Sequence, residues 1–85
     1  MSIEEIKSEL FNLCRMVFVD AKYDQEMFEY LDFVDDLAME SLEFVTLIVQ
    51  IESCFDIQIP DELISMDNFR NMDDIANIIY NRLTD

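Results

Sequence analysis

One hydroxyl group stands where a helix is expected to begin. Ser41 has an acid, Glu40, before it and Leu42 after it, and a strongly apolar run with helical spacing follows. The first turn of a helix has backbone N–H groups without partners and a partial positive charge. A phosphate carried on the Ser41 oxygen would lie in a favourable field, so we interpret this serine as the attachment point of a phosphate-linked group. A plain helix-capping serine is the alternative.

Residues for most other chemistry are missing from the sequence. It contains no His and no Gly, so it offers neither a His-activated nucleophile nor a glycine-rich phosphate loop. The two cysteines, Cys14 and Cys54, sit in apolar helical patterns without CxxC spacing. This predicts buried, reduced thiols and neither a disulfide nor a zinc site. We therefore expect no catalytic residue and no metal site, and a protein that is not an enzyme.

The charge balance restricts the possible partners. The chain has 20 acidic and 5 basic residues, which gives a net charge of −15. Nucleic acids and anionic membranes both demand a basic face, so we expect neither as a partner. Proteins with basic docking patches match such a charge. Because no signal-peptide pattern or long apolar run is present, we expect a cytoplasmic protein. We also expect a monomer.

The chain before Ser41 is predicted to form one helix and one long loop. Ser2 and Glu5 have capping-box spacing, and apolar residues at helical intervals predict a first helix over residues 2–18. Residues 19–40 show no clean period. We expect a loop that its apolar residues pin to the core, with a helical turn near residues 25–30 and Leu37 inserted into the bundle.

The chain after Ser41 is predicted to be helical as well. Residues 41–55 predict a second helix with two neighbouring apolar stripes. A helix that is apolar around most of its surface is expected to lie at the centre of the bundle. Ile57 and Ile59 are expected to face inward, and residues 61–66 to form a short third helix after a proline. Asn71 is expected to cap a last helix over residues 72–83.

These elements predict an all-α fold. It is a small four-helix bundle with three longer helices, one short helix and a long loop between helices 1 and 2. We expect one domain over residues 1–85.

The stretch around Ser41 resembles the attachment-site signature of acyl carrier proteins. Residues 33–43 read Phe-Val-Asp-Asp-Leu-Ala-Met-Glu-Ser-Leu-Glu, where the family usually has Phe-x-x-Asp-Leu-Gly-x-Asp-Ser-Leu-Asp/Glu. Residues 51–55, Ile-Glu-Ser-Cys-Phe, and residues 57–62, Ile-Gln-Ile-Pro-Asp-Glu, are also similar to that family. The resemblance covers nearly the whole chain, and the length and acidity fit.

The resemblance implies a cofactor and a set of partners. A phosphopantetheinyl transferase would move 4′-phosphopantetheine from coenzyme A onto the Ser41 oxygen. The thiol of this arm would hold acyl intermediates as thioesters in fatty-acid, polyketide or other specialised biosynthesis. The expected partners are ligases that load acyl or aminoacyl groups, ketosynthases and other synthases. Their basic patches would meet acids near the arm, and an apolar or neutral centre would complete the contact. The acids are Glu40, Glu43, Glu52, Asp56, Asp61 and Glu62, and the centre is Leu42 and Thr46.

Two residues depart from the usual family pattern. Ala38 stands where Gly is usual, so the loop must run without a left-handed glycine or bend differently. Glu40 stands where Asp is usual and keeps the charge on a longer side chain. Both departures fit a specialised carrier better than a housekeeping carrier of fatty-acid synthesis.

Several alternatives stay open. The nearest is an aminoacyl or peptidyl carrier of a nonribosomal-type pathway, and an acidic helical adaptor without an arm belongs to a different class. A calcium or magnesium sensor fails, because residues 32–43 have Val34 where a ligand should be and Leu37 where the loop glycine should be.

One apolar stripe of the second helix is expected to be ordinary core, with a small acyl pocket between that helix and the long loop as the alternative. That stripe is Leu47, Ile48, Ile51 and Phe55.

Overall fold

Four α-helices and two short 3-10 helices form the fold in the computed structural model, which describes residues 1–84. The helices are α1 (Ile3–Val17), α2 (Gln25–Phe28), α3 (Ser41–Phe55) and α4 (Met72–Thr84), and the 3-10 helices are Asp61–Leu63 and Met66–Phe69. No strand occurs among these residues. The predicted small all-α bundle is confirmed, with α1, α3 and α4 as its three longer helices. The short helix α2 corresponds to the helical turn expected near residues 25–30 of the long loop.

Helix α1 lies at the centre of the bundle and packs against α2, α3 and α4. It begins with the predicted capping box, in which Glu5 N–H donates to Ser2 Oγ at 3.2 Å and Ser2 N–H donates to Glu5 Oε1 at 2.9 Å. On its polar side, Lys7 Nζ lies 2.7 Å from Asp73 Oδ1 of α4. The buried residues of α1 lie on one face: Ile6, Leu10, Leu13 and Cys14.

Helix α3 has two apolar stripes, but only one of them is buried. Its core stripe is Leu47, Ile48, Ile51 and Phe55, as expected. The second stripe faces solvent, because Leu42, Val45 and Val49 are 75%, 56% and 55% exposed. The prediction that α3 is the central helix is therefore wrong. Periodicity shows that a helix has apolar residues on two faces, but it does not say whether a neighbour covers both.

The segment after α3 forms two 3-10 helices, Asp61–Leu63 and Met66–Phe69, where one short helix over residues 61–66 was predicted. Its inward residues, Leu63, Met66 and Phe69, recur at every third position and pack on the core. Met66 and Phe69 are three positions apart on the second 3-10 helix, and in a helix of 3.0 residues per turn their side chains lie one above the other. Ile59 is 2% exposed and Ile57 is partly buried, so both face inward as expected. On α4, Asp74 N–H donates to Asn71 Oδ1 at 2.9 Å, which confirms the predicted cap.

Aromatic rings pin the long loop to the core. Phe28 and Phe33 are fully buried and meet edge to face, with ring centroids 6.0 Å apart. Phe18, at the end of α1, lies edge-on to Phe33 at 5.6 Å. Immediately before α3, Met39 is buried to 3% exposure, whereas Leu37 is only partly buried. The pinned loop is confirmed, but Met39 occupies the buried position that was predicted for Leu37.

The two cysteines have different surroundings. Cys14 is buried on α1, and burial raises the pKa of its thiol to about 12. Cys54 is exposed on α3, so its predicted burial is wrong. It lies on the outward side of a helix that is apolar around most of its surface, and sequence periodicity did not reveal which side was covered. Among residues 1–84, no helix combines the length and apolarity needed to cross a membrane.

Candidate functional site

Ser41 is an exposed residue at the first position of α3. The residue that caps the helix is Glu40, which has extended backbone angles, φ −106° and ψ 176°. None of the hydrogen bonds formed among residues 1–84 uses the Ser41 hydroxyl. The interpretation of Ser41 as a plain N-cap is therefore wrong, and its oxygen is accessible. A primary hydroxyl that is exposed and not needed by the fold fits a covalently attached phosphate ester.

Two carboxylates share the helix N-terminus with Ser41. Glu40 N–H donates to Glu43 Oε1 at 2.8 Å, so Glu43 folds back over the first turn. Glu40 and Glu43 thus already oppose the partial positive charge at this end of α3. A phosphate on Ser41 would therefore gain less electrostatic stabilisation than the sequence suggested.

The loop before Ser41 is a closed turn built around Asp32. Its carboxylate oxygen Oδ1 accepts the N–H groups of Val34 at 2.9 Å and Asp35 at 2.8 Å. Its carbonyl accepts from Asp36 N–H at 2.7 Å, and Asp32 N–H donates back to Asp36 Oδ2 at 2.8 Å. One carboxylate therefore organises a backbone that contains no glycine.

Arg70, just before α4, binds the same carboxylate from outside the loop. Its Nε donates to Asp32 Oδ2 at 2.9 Å, and its Nη2 donates to Asp35 Oδ2 at 3.1 Å. The hydrogen bond from Arg70, followed by the one from Asp35 N–H, lowers the pKa of Asp32 below its ordinary value. The hydrogen bond to Asp32 in turn raises the pKa of Arg70. Both groups therefore stay charged at neutral pH.

Ala38 has a left-handed backbone, with φ at 53°. Position 38 thus keeps the left-handed conformation that suits glycine. The alternative, in which the loop bends differently because it has alanine there, is not found. Asp56, the residue after α3, is also left-handed with φ at 53°, where the sequence offered no glycine to end the helix. An alanine in this region is strained because its Cβ approaches the following carbonyl oxygen.

Replacing Ala38 with Gly is expected to raise the free energy of unfolding by about 0.5–1 kcal/mol. Left-handed backbone costs an alanine about 1–2 kcal/mol, and the greater freedom of glycine in the unfolded chain offsets part of the gain. Urea denaturation followed by circular dichroism measures the change. Ala21→Gly is the control, because Ala21 has no positive φ and should lose stability. Equal shifts in both variants would contradict the strain at Ala38.

The acids proposed from the sequence differ in their surroundings. Glu40, Asp56, Asp61 and Glu62 are exposed, and Glu43 is half-buried. Glu52 is also half-buried, and its Oε2 accepts the N–H of Ile59 at 2.8 Å. Glu52 thus has a structural task, because it ties the segment after α3 back onto the helix.

An apolar surface surrounds the exposed end of α3. Leu42 and Thr46 lie on it, and Thr46 Oγ1 donates to Leu42 O at 2.8 Å, so the Thr46 hydroxyl is satisfied within the helix. Val45 and Val49, which were not among the predicted docking residues, continue the exposed stripe. Met16 of α1, 69% exposed, shares a shallow groove with Leu42 and Thr46. The spacing of Leu42, Val45 and Val49 was visible in the sequence, but only the fold shows that no neighbouring helix covers them.

A cleft of about 300 Å³ lies beside the loop that precedes Ser41. One wall is formed by the end of α1 and the segment that follows it, and the other by residues 36–38 of the loop. From α3, only Glu43 lines the cleft. The four core residues of α3, Leu47, Ile48, Ile51 and Phe55, are buried in the hydrophobic core, and none of them lines this cleft. The cleft opens between α1 and the loop, so it differs in position from the pocket considered between α3 and the loop.

Comparison with known proteins agrees with the resemblance of the sequence. The family profile described as "Phosphopantetheine attachment site" matches residues 22–79. An acyl carrier protein from Chloroherpeton thalassium is 30% identical over 82 residues, which are 96% of this chain and 98% of that protein. An acyl carrier protein from Kocuria rhizophila is 37% identical over 49 residues, 58% of each chain. The chain therefore belongs to the acyl carrier protein family, and its cofactor is phosphopantetheine.

Proposed function

We propose that Ser41 is the residue that bears the 4′-phosphopantetheine group. The observation that carries this assignment is the exposed hydroxyl at the start of α3, which the fold does not use. The family profile spans this position. When bound, the group supplies a terminal thiol that holds an acyl intermediate as a thioester. The chain acts as a carrier, and enzymes use it as a substrate.

Modification requires the Ser41 oxygen to act as a nucleophile toward coenzyme A. Under this proposal, a bond forms between that oxygen and the phosphorus that bears pantetheine, and the diphosphate P–O bond to the nucleotide breaks. The hydroxyl proton needs a base. Glu43, the half-buried acid of the first turn, is held by Glu40 N–H, and the chain has no His. We therefore assign the base to the phosphopantetheinyl transferase, and to the chain the task of presenting the hydroxyl.

We assign partner docking to the exposed side of α3 and the acids around it. Leu42, Val45 and Val49 supply an apolar centre, with Thr46 beside them. The charged rim consists of Glu40, Glu43, Asp56, Asp61 and Glu62. An apolar centre inside a charged rim is the usual anatomy of a protein interface. Glu52 contributes charge, but its bond to Ile59 gives it a second role. With a net charge of −15, the chain favours partners with basic patches and fast, salt-sensitive encounter.

The proposal also covers the biosynthetic pathway in which the carrier works. We assign the carrier to fatty-acid, polyketide or other specialised biosynthesis, with acyl-loading ligases and ketosynthases among its partners. Tethering a substrate to Ser41 makes its reaction with each docked enzyme effectively intramolecular, at local concentrations of about millimolar or above. The mass of the group carried in vivo separates an acyl carrier from an aminoacyl or peptidyl carrier. A cytoplasmic location and a monomeric state, both expected from the sequence, belong to the same proposal.

Intact mass after co-expression with a promiscuous phosphopantetheinyl transferase tests the attachment. We expect the wild-type chain to gain the mass of one phosphopantetheine group, because a single serine is presented at the helix start. Ser41→Ala should gain nothing and should keep the circular dichroism spectrum of the wild type. Ser53→Ala, which removes another exposed serine of α3, is the matched control and should be modified fully. An unmodified wild type would favour the adaptor alternative, and modification of Ser41→Ala would place the arm elsewhere.

A further inference from the structure

We infer that Arg70 is a positioning residue for the modification of Ser41. It joins the loop before the serine to a segment that packs against α3 after the serine. This inference rests on the proposed function, because it concerns the presentation of the same hydroxyl.

The Arg70 guanidinium binds two carboxylates of the loop together. Its Nε and Nη2 donate to the two oxygens of Asp32 at 2.9 Å and 3.3 Å, and Nη2 also donates to Asp35 at 3.1 Å. A third carboxylate, Asp67, lies 3.7 Å from Nη1. A planar guanidinium can hold a carboxylate at both oxygens, whereas a lysine would act as a single point of charge.

The backbone next to Arg70 contacts the chain on both sides of Ser41. On the loop side, Phe33 N–H donates to the Arg70 carbonyl. On the α3 side, the buried ring of Phe69 meets Phe44 edge to face, with centroids 5.6 Å apart. Ser41 thus lies between two stretches of chain that are held by the same pair of neighbouring residues.

Among residues 1–84, Arg70 is the only residue outside the loop that forms hydrogen bonds with residues 32–39. The same loop contains the left-handed Ala38. Strained backbone persists only where its surroundings over-determine it, so a loop with this alanine depends on its anchor more than one with glycine would.

Loss of Arg70 should therefore disorder the loop without unfolding the protein. Phe33 and Met39 remain buried and keep the loop near the core. However, Asp32, Asp35 and Asp67 would repel one another without their shared cation, and the backbone before Ser41 would sample other conformations. An enzyme that needs one position of the hydroxyl would then find it in a smaller fraction of molecules.

Steady-state transfer of phosphopantetheine to purified Arg70→Gln tests the inference. We expect kcat to fall about tenfold, because a misplaced nucleophile reacts slowly, while KM for the carrier stays within about twofold, because the exposed side of α3 is unchanged. Hydrogen exchange of the Phe33 and Met39 amides should speed up by about tenfold as the loop loosens. A merely structural role would lower the folded fraction of the carrier, which is the substrate here, and would therefore raise its apparent KM while kcat stays unchanged.

Arg15→Gln is the matched control. It changes the net charge equally, and Arg15 is an exposed residue that forms no ion pair with any of residues 1–84. Its kinetics should equal those of the wild type. Arg70→Lys should recover part of kcat, because it restores the positive charge but not the planar guanidinium that binds both oxygens of a carboxylate. If Arg70→Gln does not fold, Asp32→Asn replaces it, because the amide oxygen still accepts from the loop backbone.

Two outcomes overturn the inference in distinguishable ways. A folded Arg70→Gln, or Asp32→Asn in its place, with wild-type kcat and wild-type exchange at Phe33 and Met39 overturns the role of Arg70 alone. A wild-type chain that gains no mass overturns the proposed function, and the inference falls with it.

Discussion

Replacing Leu42 with Asp is expected to lower kcat/KM for phosphopantetheine transfer about 30-fold. Leu42 is 75% exposed next to Ser41, at the head of the apolar stripe that we assign to docking. A buried apolar contact at the centre of an interface contributes about 2 kcal/mol, and a new carboxylate there would also be desolvated without a partner. The stability of the free protein should change by less than about 0.5 kcal/mol, because the side chain touches solvent.

Tyr30→Asp is the control for the docking surface. Tyr30 is 80% exposed in the long loop, outside the stripe on α3, and the substitution adds the same charge. Transfer kinetics with a promiscuous transferase, measured against carrier concentration, should show the loss in Leu42→Asp only. Equal kcat/KM values in the two variants would remove Leu42 from the docking surface. Equal losses would point to net charge as the cause.

Replacing Phe33 with Ala is expected to give the largest loss of stability. Its ring is fully buried between Phe18 and Phe28, and its backbone carbonyl accepts from Met39 N–H at 3.0 Å. Removing a buried phenylalanine ring costs about 3–5 kcal/mol, from lost transfer free energy and the cavity left behind. A domain of this size has a free energy of unfolding of about 4–13 kcal/mol, so a large part of it should disappear.

Urea denaturation measures this loss. The midpoint should fall strongly while the slope with urea stays close to that of the wild type, since the surface exposed on unfolding changes little. Tyr30→Ala, an exposed aromatic residue of the same loop, should change the free energy of unfolding by less than about 0.5 kcal/mol. A loss below about 1 kcal/mol in Phe33→Ala would show that this ring does not anchor the loop.

The helices and the position of Ser41 at a helix start were predictable because their signals are local. The capping box of Ser2 and Glu5, the helical run that starts at Ser41 and the cap at Asn71 each involve residues within a few positions of one another. A helix end is defined by such short-range hydrogen bonds, so sequence spacing is sufficient to find it. The attachment-site signature is likewise one continuous stretch, and the family profile that matches residues 22–79 spans it.

The geometry of the loop was not predictable because its contacts are distant in sequence. Asp32 and Arg70 are bonded across 38 positions, and no periodic pattern links an acid in a loop to one arginine near the last helix. An alanine at position 38 disfavours left-handed backbone, but the anchored loop keeps Ala38 in that conformation. Burial of Met39 instead of Leu37 depends in the same way on which side of the loop meets the core.

From its sequence alone, this protein can be assigned an all-α fold, a strongly acidic character and one candidate serine, because composition and local spacing carry that information. Only the tertiary structure decided that α1 occupies the centre, that Leu42, Val45 and Val49 face solvent, and that Cys54 is exposed. The reason is physical: an apolar stripe is buried only if another element covers it, and the number of covering helices is a property of the whole chain.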